Sequence, residues 1–156
     1  MGRIYAVTFE GVAVTAAVDF FEIQPAGNKP VNIIGILLSQ SSDLGDVNEE
    51  ILRIQVLRGH TATGTGGATP TPAPVNNSSD TAAGCITDTN NTTIASGGTA
   101  VSLFSHAFNI RAGLEHYFPP ECRPGASQAN TTIVVRLMAA PADSLTMNGT
   151  LFFEEM

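Results

Sequence analysis

Short runs in which every second residue is apolar recur along the whole chain, and they leave little choice of fold class. Leu52, Ile54 and Val56 alternate with Arg53 and Gln55, and similar runs lie at 3–23, 31–40, 100–118, 131–139 and 145–153. A period of two indicates half-buried strands, because successive side chains of a strand point to opposite faces. No segment keeps a 3.6-residue period over more than two turns. We therefore predict an all-β fold, an antiparallel β-sandwich with the topology of a jelly roll.

Three local patterns refine this prediction. Gly11 interrupts the first apolar alternation and predicts a bend or bulge there. The segment 31–40 is apolar at almost every position, which is typical of a strand covered on both faces. The best candidate for a helix is the short segment 43–52.

The stretch 59–100 is the least ordinary part of the chain, because Asp80 and Asp88 are its only acidic residues and it has no lysine or arginine. It consists mostly of Thr, Gly, Ala, Pro, Asn and Ser. Ordering a residue costs about 1–2 kcal/mol, and such a composition offers little apolar surface in return. We expect one domain, 1–156, that carries 59–100 as a long irregular insert, and we expect contacts beyond this subunit to help order it.

Alternating prolines make 69–74 the most distinctive part of the insert. They favour an extended segment that has little entropy left to lose when it docks. We predict that this segment and the end of the preceding strand contact a partner through Thr69, Pro70, Thr71, Pro72, Pro74, Arg58 and His60. The alternative is an exposed loop tip without a partner.

Charge restricts the classes of partner. The net charge is −7, and only 13% of the residues are Asp, Glu, Lys or Arg, against about 25% in average globular domains. Nucleic-acid binding needs clustered basic residues, so we expect none. The sequence has no signal peptide pattern and no apolar run of membrane-spanning length, so we expect synthesis in a cytoplasm and no membrane contact. In that compartment Cys85 and Cys122 are expected to be free thiols.

The candidates for catalysis and metal binding are few. His106 and His116 fall on apolar strand faces and are predicted to be structural, and no nucleophile elbow G-x-S-x-G occurs. The cysteines and histidines lack zinc-site spacing. The acidic residues of 43–50 could supply oxygen ligands to Ca²⁺, although they depart from the EF-hand pattern, and a solvated acidic loop is the alternative. We expect no enzymatic activity and no cofactor.

Three segments resemble a group of small virion proteins of tailed bacteriophages, the head cement or decoration proteins. They are GRIYAVTFEGVAVTAAVDFFEI (2–23), LLSQSSDLGDVNEEILRIQVLRGH (37–60) and ANTTIVVRLMAAPADSLTMNGTLFFEE (129–155). The proline-rich insert lies outside the resemblance, and the shared segments are packing patterns without catalytic residues.

This resemblance implies a β-sandwich subunit, often a homotrimer, that binds the major capsid protein on the outer surface of the virion and is made in the cytoplasm of the bacterial host. The expected function is stabilisation of the capsid lattice. The alternatives are a structural module of the phage tail, neck or fibre, and a carbohydrate-binding jelly roll. A carbohydrate-binding module would be expected to expose aromatic side chains. The sequence has no Trp, and Tyr5 and Tyr117 are its only tyrosines, which argues against that alternative.

Overall fold

The computed structural model of the chain describes residues 2–41, 49–127 and 131–156. Their regular structure is β-strand apart from one 3₁₀ turn at Pro120–Cys122. The strands are β1 (Arg3–Val14), β2 (Val18–Gln24), β3 (Val31–Gln40), β4 (Ile51–His60), β5 (Ala73–Pro74), β6 (Ile86–Asn91), β7 (Val101–Asn109), β8 (Leu114–Tyr117), β9 (Gly125–Ala126), β10 (Thr132–Leu137) and β11 (Leu145–Glu155).

The strands form two antiparallel sheets that pack against each other. The six-stranded sheet has the order β5-β1-β11-β3-β8, with β9 also paired to β3, and the five-stranded sheet has the order β6-β2-β10-β4-β7. This confirms the predicted all-β sandwich. The chain crosses repeatedly between the sheets, since β1 and β2, which are adjacent in sequence, lie in different sheets.

The inward faces of both sheets make one apolar core, as the alternation requires. In β11 every second residue is buried from Leu145 to Glu155. Phe9 packs on Phe20 and Phe21, with ring centroids 6.0 and 5.3 Å away. Complete burial of one such side chain contributes about 1.5–3 kcal/mol. The largest side chains with less than 2% exposure are Tyr5, Phe20, Phe21, Phe153, Ile23, Ile33, Ile36, Leu38, Ile54, Ile110, Ile133 and Leu137.

Two of the local predictions have clear outcomes. The pairing of β1 with β11 shifts between Phe9 and Val12, and Gly11 has φ of 64°, so the predicted bulge is confirmed. The prediction that both faces of 31–40 are covered is wrong. Ile33, Ile36 and Leu38 face the core, whereas Leu37 keeps partial exposure on the outer face.

The prediction of a helix at 43–52 falls mostly on residues outside the described ranges, and so does the acidic loop considered for calcium. The described end of the segment is not helical, because Ile51 and Leu52 already belong to β4. There they pair with Asn109 and Phe108 of β7.

The insert is more regular than its composition indicates. β4 continues through His60, so the first two residues of 59–100 belong to the sandwich. β6 joins the five-stranded sheet beside β2. The segments on either side of β6 also pair with each other, through the bridges Ala62–Ser96 and Thr65–Thr93, and the first of them pairs with β6 itself through Ala68–Thr89.

Candidate partner-binding surface

Three buried carboxylates hold the insert against the sandwich. They belong to Asp19, Glu22 and Glu155, which are 0%, 1% and 6% exposed. Each accepts at least one hydrogen bond from a backbone N–H of the insert. The insert has few apolar side chains to bury, and hydrogen bonds to these carboxylates of the same chain hold it instead. We call the three carboxylates the anchors of the insert.

The Asp19 carboxylate is also paired with a buried arginine. Arg136 Nε donates to Asp19 Oδ1 at 2.6 Å, and Arg136 Nη2 donates to Oδ2 at 3.1 Å. The Ala95 N–H donates to Oδ2 at 2.8 Å, while Arg136 Nη2 also donates to the Ala95 carbonyl at 2.7 Å. Both charged groups are thus neutralised and hydrogen-bonded, which a buried ion pair needs if it is not to destabilise the fold. Ala95 also covers Leu57 and Val134 on the outer face of the five-stranded sheet.

Glu22 anchors the opposite limb of the insert. Its Oε2 accepts hydrogen bonds from the Gly64 N–H at 2.9 Å and from Asn91 Nδ2 at 3.2 Å. Burial is the main cause that raises the pKa of Glu22 above its ordinary value, and the nearby Asp19 and Asp88 carboxylates add to it. The two hydrogen bonds act in the other direction without cancelling the rise.

The Glu22→Gln variant tests this balance. A carboxyl group with a raised pKa in the folded state favours folding below its unfolded pKa of about 4.3, and this contribution is lost as pH rises through the folded pKa. Glutamine stays neutral and keeps an acceptor for the Gly64 N–H. We therefore expect the stability of the variant to rise relative to the parent as pH increases through that window. Denaturant unfolding from pH 4 to pH 8 measures the difference.

Glu10→Gln is the control for that series, since Glu10 is exposed on β1 and the variant removes the same charge. A stability difference between Glu22→Gln and parent that falls with increasing pH would contradict the assignment.

The third anchor holds the loop before β6. Glu155 accepts hydrogen bonds from the Gly84 and Cys85 N–H groups, each at 2.9 Å, and Lys29 Nζ lies 3.5 Å from its Oε1. Burial, together with the Glu155 charge, raises the pKa of the Cys85 thiol to about 12. Cys85 therefore stays protonated at neutral pH. Cys85 and Cys122 are both free thiols, as predicted.

The proline-rich segment runs from the five-stranded sheet to the edge of the six-stranded sheet of its own subunit. At its start Thr69 Oγ1 donates to Asp88 Oδ1 of β6 at 2.7 Å, and the Pro70 carbonyl accepts from Thr87 Oγ1 at 2.8 Å. Ala73 and Pro74 pair with Ala6 and Tyr5, and the Val75 N–H donates to the Ile4 carbonyl at 3.0 Å. Among the predicted contact residues Thr69 and Thr71 are exposed, Pro70 and Pro74 are partly exposed, and Pro72 is buried.

The two predicted contact residues of β4 offer less to a partner. Arg58 is partly buried and donates from Nη1 to the Gly125 carbonyl at 2.7 Å. His60 is only 6% exposed, and neither of its ring nitrogens has a partner among the described residues. A buried side chain has no surface to present, so the contact prediction is carried by the threonines and by Pro70 and Pro74.

The other two histidines, His106 and His116, lie on β7 and β8, which are edge strands of the two sheets. The rings of Phe104, His106, His116 and Phe118 form a cluster, with the His116 centroid 4.7 Å from Phe104 in a tilted contact and 4.6 Å from Phe118 in an edge-to-face contact. Phe118 is buried and His106 is exposed. His106 and His116 thus contribute to a cluster of aromatic rings at the rim of the core.

The outer face of the six-stranded sheet carries a row of apolar residues across five strands. Cross-strand pairing aligns Ala73, Ala6, Phe152, Gly35 and Tyr117 in that order. Tyr117 is 51% exposed and stacks on Phe152, with ring centroids 6.3 Å apart. Gly35 has no side chain because a Cβ there would lie 2.6 Å from the Tyr117 ring. We call this row and the next one, Thr8, Thr150, Leu37 and Glu115, the sheet face.

The second row of the sheet face is more polar than the first, because it carries Thr8, Thr150 and Glu115. A shallow depression of about 560 Å³ lies along it and is lined from β1, β11, β3 and β8, with Leu37 and Thr150 in its lining and the carboxylates of Glu10 and Glu115 beside them. At the β5 edge of the sheet, Ala73 of the proline-rich segment ends the apolar row. The C-terminal end of the proline-rich segment therefore adjoins the apolar row.

Within 2–41, 49–127 and 131–156, no three His, Cys, Asp or Glu side chains are grouped as metal ligands. Over the same ranges, no helix is long and hydrophobic enough to span a bilayer.

Comparison with families and known proteins gives no relative. No family model matches the sequence, and no curated protein matches it. Two solved structures are weakly similar. One is the 2.6 Å structure of T=1 particles derived from infectious bursal virus, with 16% identity, a TM-score of 0.18, and coverage of 97% of this chain and 39% of that one. The other is the T13 viral particle of IBDV, with 17% identity, a TM-score of 0.14, and coverage of 99% and 39%. The chain thus spans well under half of each matched protein, and such TM-scores carry no argument.

The three anchors and the sheet face were not predicted from the sequence. A signal for Asp19, Glu22 and Arg136 was present, because each interrupts a strongly apolar strand segment (VDFFEI and TIVVRLM). Ionisable residues in such segments are almost never fully buried unless they are paired. The sheet face had no comparable signal, since its residues come from strands far apart in sequence.

Proposed function

We propose that this chain is a structural virion protein, a cement or decoration protein that binds the outer surface of the major capsid lattice and stabilises it. The observation that carries the proposal is the sheet face, whose apolar row runs across five strands and ends on Ala73 of the proline-rich segment. A broad, shallow surface of this kind suits contact with another protein better than it suits enclosure of a small substrate.

The composition of the sheet face supports the same function. A specific contact buries about 800 Å² on each partner and places aromatic residues at its centre and polar residues at its rim. Phe152 and Tyr117 lie within the apolar row, while Thr8, Thr150 and Glu115 border it. In the homotrimer implied by the family resemblance, three such surfaces would act together, so that each needs only modest affinity.

The charge and the folded insert fit a position outside the capsid. A net charge of −7 disfavours contact with packaged DNA. The three internal anchors fix the insert before any partner binds, which lowers the entropy cost of docking. We also propose the jelly-roll topology. Without β5, β6 and β9 the sheets have the orders β1-β11-β3-β8 and β2-β10-β4-β7, which supports two Greek keys of four strands each.

Capsids assembled from the same virus without this chain provide the test. We expect a Tyr117→Ser, Phe152→Ser double variant to bind them at least tenfold more weakly than the parent in co-sedimentation. The variant should also fail to raise the melting temperature of the capsids. Removal of two aromatic side chains from the centre of the contact is the physical reason.

Ile86→Ser is the matched control, because Ile86 on β6 is 53% exposed, close to the 51% of Tyr117, but belongs to the other sheet. Equal capsid binding by parent and double variant, both folded, would exclude the sheet face as the contact. Absence of binding by the parent would exclude the cement function.

The exposed Tyr117 ring also favours a second candidate, a carbohydrate-binding module, because stacking on an exposed aromatic ring is a common way to bind a sugar. Glycan-array binding that the Tyr117→Ser variant loses, together with no capsid binding by the parent, would favour it. Cryo-electron microscopy of virions with antibody-labelled protein separates a head location from the tail, neck or fibre alternative.

A further inference from the structure

The outer edge of β7 differs from the other edges of the two sheets. β7 has nine residues, about 30 Å of strand, and pairs with β4 on one side. No strand in the described part of the chain pairs with its other side. The remaining edges are shorter or covered. β5 has two residues and β8 has four, and the outer side of β6 receives a bridge from Ala68 to Thr89.

β7 lacks most of the features by which proteins protect an edge. Its sequence, VSLFSHAFN, has no proline and no Asp, Glu, Lys or Arg. A bulge can twist an edge away from partners, and β7 contains one near its start, because Val56 and Leu57 pair with Phe104 and Ser102 and leave Leu103 as the extra residue. Beyond the bulge, Phe104 to Asn109 pair one to one with Val56 to Ile51. These six residues form a regular edge, which is a template for another strand.

The inner side of this edge is equally open. Phe104 and His106 point toward the space between the sheets and stack with centroids 5.8 Å apart, yet His106 is exposed. Val101 at the start of the strand is 50% exposed. A strand added beside β7 would cover the rim of this stack and give backbone groups of the edge their missing partners.

A second copy of the same strand suits the edge because β7 is self-complementary. In an antiparallel pair centred on Ser105, Phe104 lies opposite His106 of the other copy, so that an aromatic ring meets an imidazole on the inner face. Such aromatic cross-strand pairs stabilise a sheet. The pairing brings no acidic side chains of the two strands together, although the whole chain carries −7. On the outer face, Arg53 of β4 would lie at least three strand spacings, about 14 Å, from its counterpart. That distance is beyond the Debye length of about 8 Å at physiological salt.

We propose that two copies of this chain associate by antiparallel pairing of their β7 edges, and so join two five-stranded sheets into one continuous sheet. The contact is isologous and closes at two copies. It is therefore separate from a threefold contact and does not depend on the virion function. In a lattice it would connect neighbouring oligomers.

Analytical ultracentrifugation of the full chain over a wide concentration range tests the proposal. The parent should double its particle mass with increasing concentration, and Ser105→Lys and Ser105→Glu should each weaken this step at least tenfold, because the introduced like charges meet at the centre of the pair. An equimolar mixture of S105K and S105E should restore the doubling, since opposite charges then meet. Ile86→Lys, on the opposite edge strand of the same sheet, is the control and should behave as the parent does.

A parent that shows no doubling of mass up to millimolar concentration overturns the proposal, and so does doubling that both Ser105 variants retain. If the variants fail to fold by circular dichroism, hydrogen exchange of the parent decides. The amides of Phe104–Asn109 should gain protection with concentration, and unchanged protection would refute the pairing. Loss of the doubling with unchanged capsid binding would leave the proposed function intact.

Discussion

Replacement of Arg136 by methionine should lower the free energy of unfolding by about 3–5 kcal/mol, because it leaves a fully buried carboxylate without its counter-ion. Asp19 is 0% exposed, and both of its oxygens accept hydrogen bonds from the Arg136 guanidinium. Among the described residues, the Ala95 N–H alone would remain as a donor to it. The Ala95 carbonyl would also lose its bond to Arg136, so the limb of the insert at 92–99 should become susceptible to protease. Guanidinium unfolding at pH 7 and limited proteolysis measure the two effects.

Two further variants separate the charge from the side chain. Arg53→Met removes an exposed arginine from the neighbouring strand β4 and should change stability by no more than about 0.5 kcal/mol. Addition of Asp19→Asn to Arg136→Met should recover part of the loss, because asparagine accepts from the Ala95 N–H without a charge. If the free energy of unfolding of the folded R136M protein fell by less than about 1 kcal/mol, the Asp19–Arg136 ion pair would not be what holds the insert in place.

Replacement of Glu155 by leucine should cost about 1–3 kcal/mol, because it leaves the buried Cys85 N–H without an acceptor. The Gly84 and Cys85 N–H groups both donate to this carboxylate at 2.9 Å, but Gly84 is exposed and its N–H can turn to water. The loop before β6 should loosen, and the Cys85 thiol should become accessible. We therefore expect faster labelling of Cys85 by a thiol reagent, in addition to the loss of stability in denaturant.

Glu155→Gln is the matched variant, since it keeps an acceptor oxygen and removes the charge. It should lose less stability than Glu155→Leu and should leave Cys85 slow to react. Cys122, which is exposed, serves as the internal reference for the labelling rate. Equal labelling of Cys85 in parent and Glu155→Leu would show that the carboxylate does not hold this loop.

The alternation of apolar residues predicted the body of the fold well because it is a local property. A strand such as β11 buries every second residue regardless of its neighbours, and the bulge at Gly11 follows from one residue that tolerates a positive φ. The same reasoning failed for 31–40. A continuous apolar run does not distinguish a strand covered on both faces from one whose outer face is apolar but exposed. The strand β3 is of the latter type, because Leu37 on its outer face is partly exposed.

The candidate site could be predicted only in part, for a related reason. The alternating prolines identified an extended segment, and Thr69 and Thr71 are exposed as a contact would need. The burial of Pro72 and His60 depends on what packs against them. The sheet face is formed by residues such as Ala6, Gly35 and Phe152, which are brought into one row by strand register. Register is a property of the pairing between distant segments, so it cannot be predicted from the sequence of any one of them.

The sequence by itself determined the strands, their inward faces and the sandwich, because side-chain period and burial are linked within each strand. Only the tertiary structure decided how the polar insert is held. Glu22 reaches Gly64 across 42 residues, and Asp19 reaches Ala95 across 76. A hydrogen bond from a backbone N–H to a buried carboxylate demands no particular residue type on the donor side. The composition of 59–100 therefore predicted a segment that is ordered by contacts with another subunit. In the folded chain, three buried carboxylates of the same subunit hold it by hydrogen bonds.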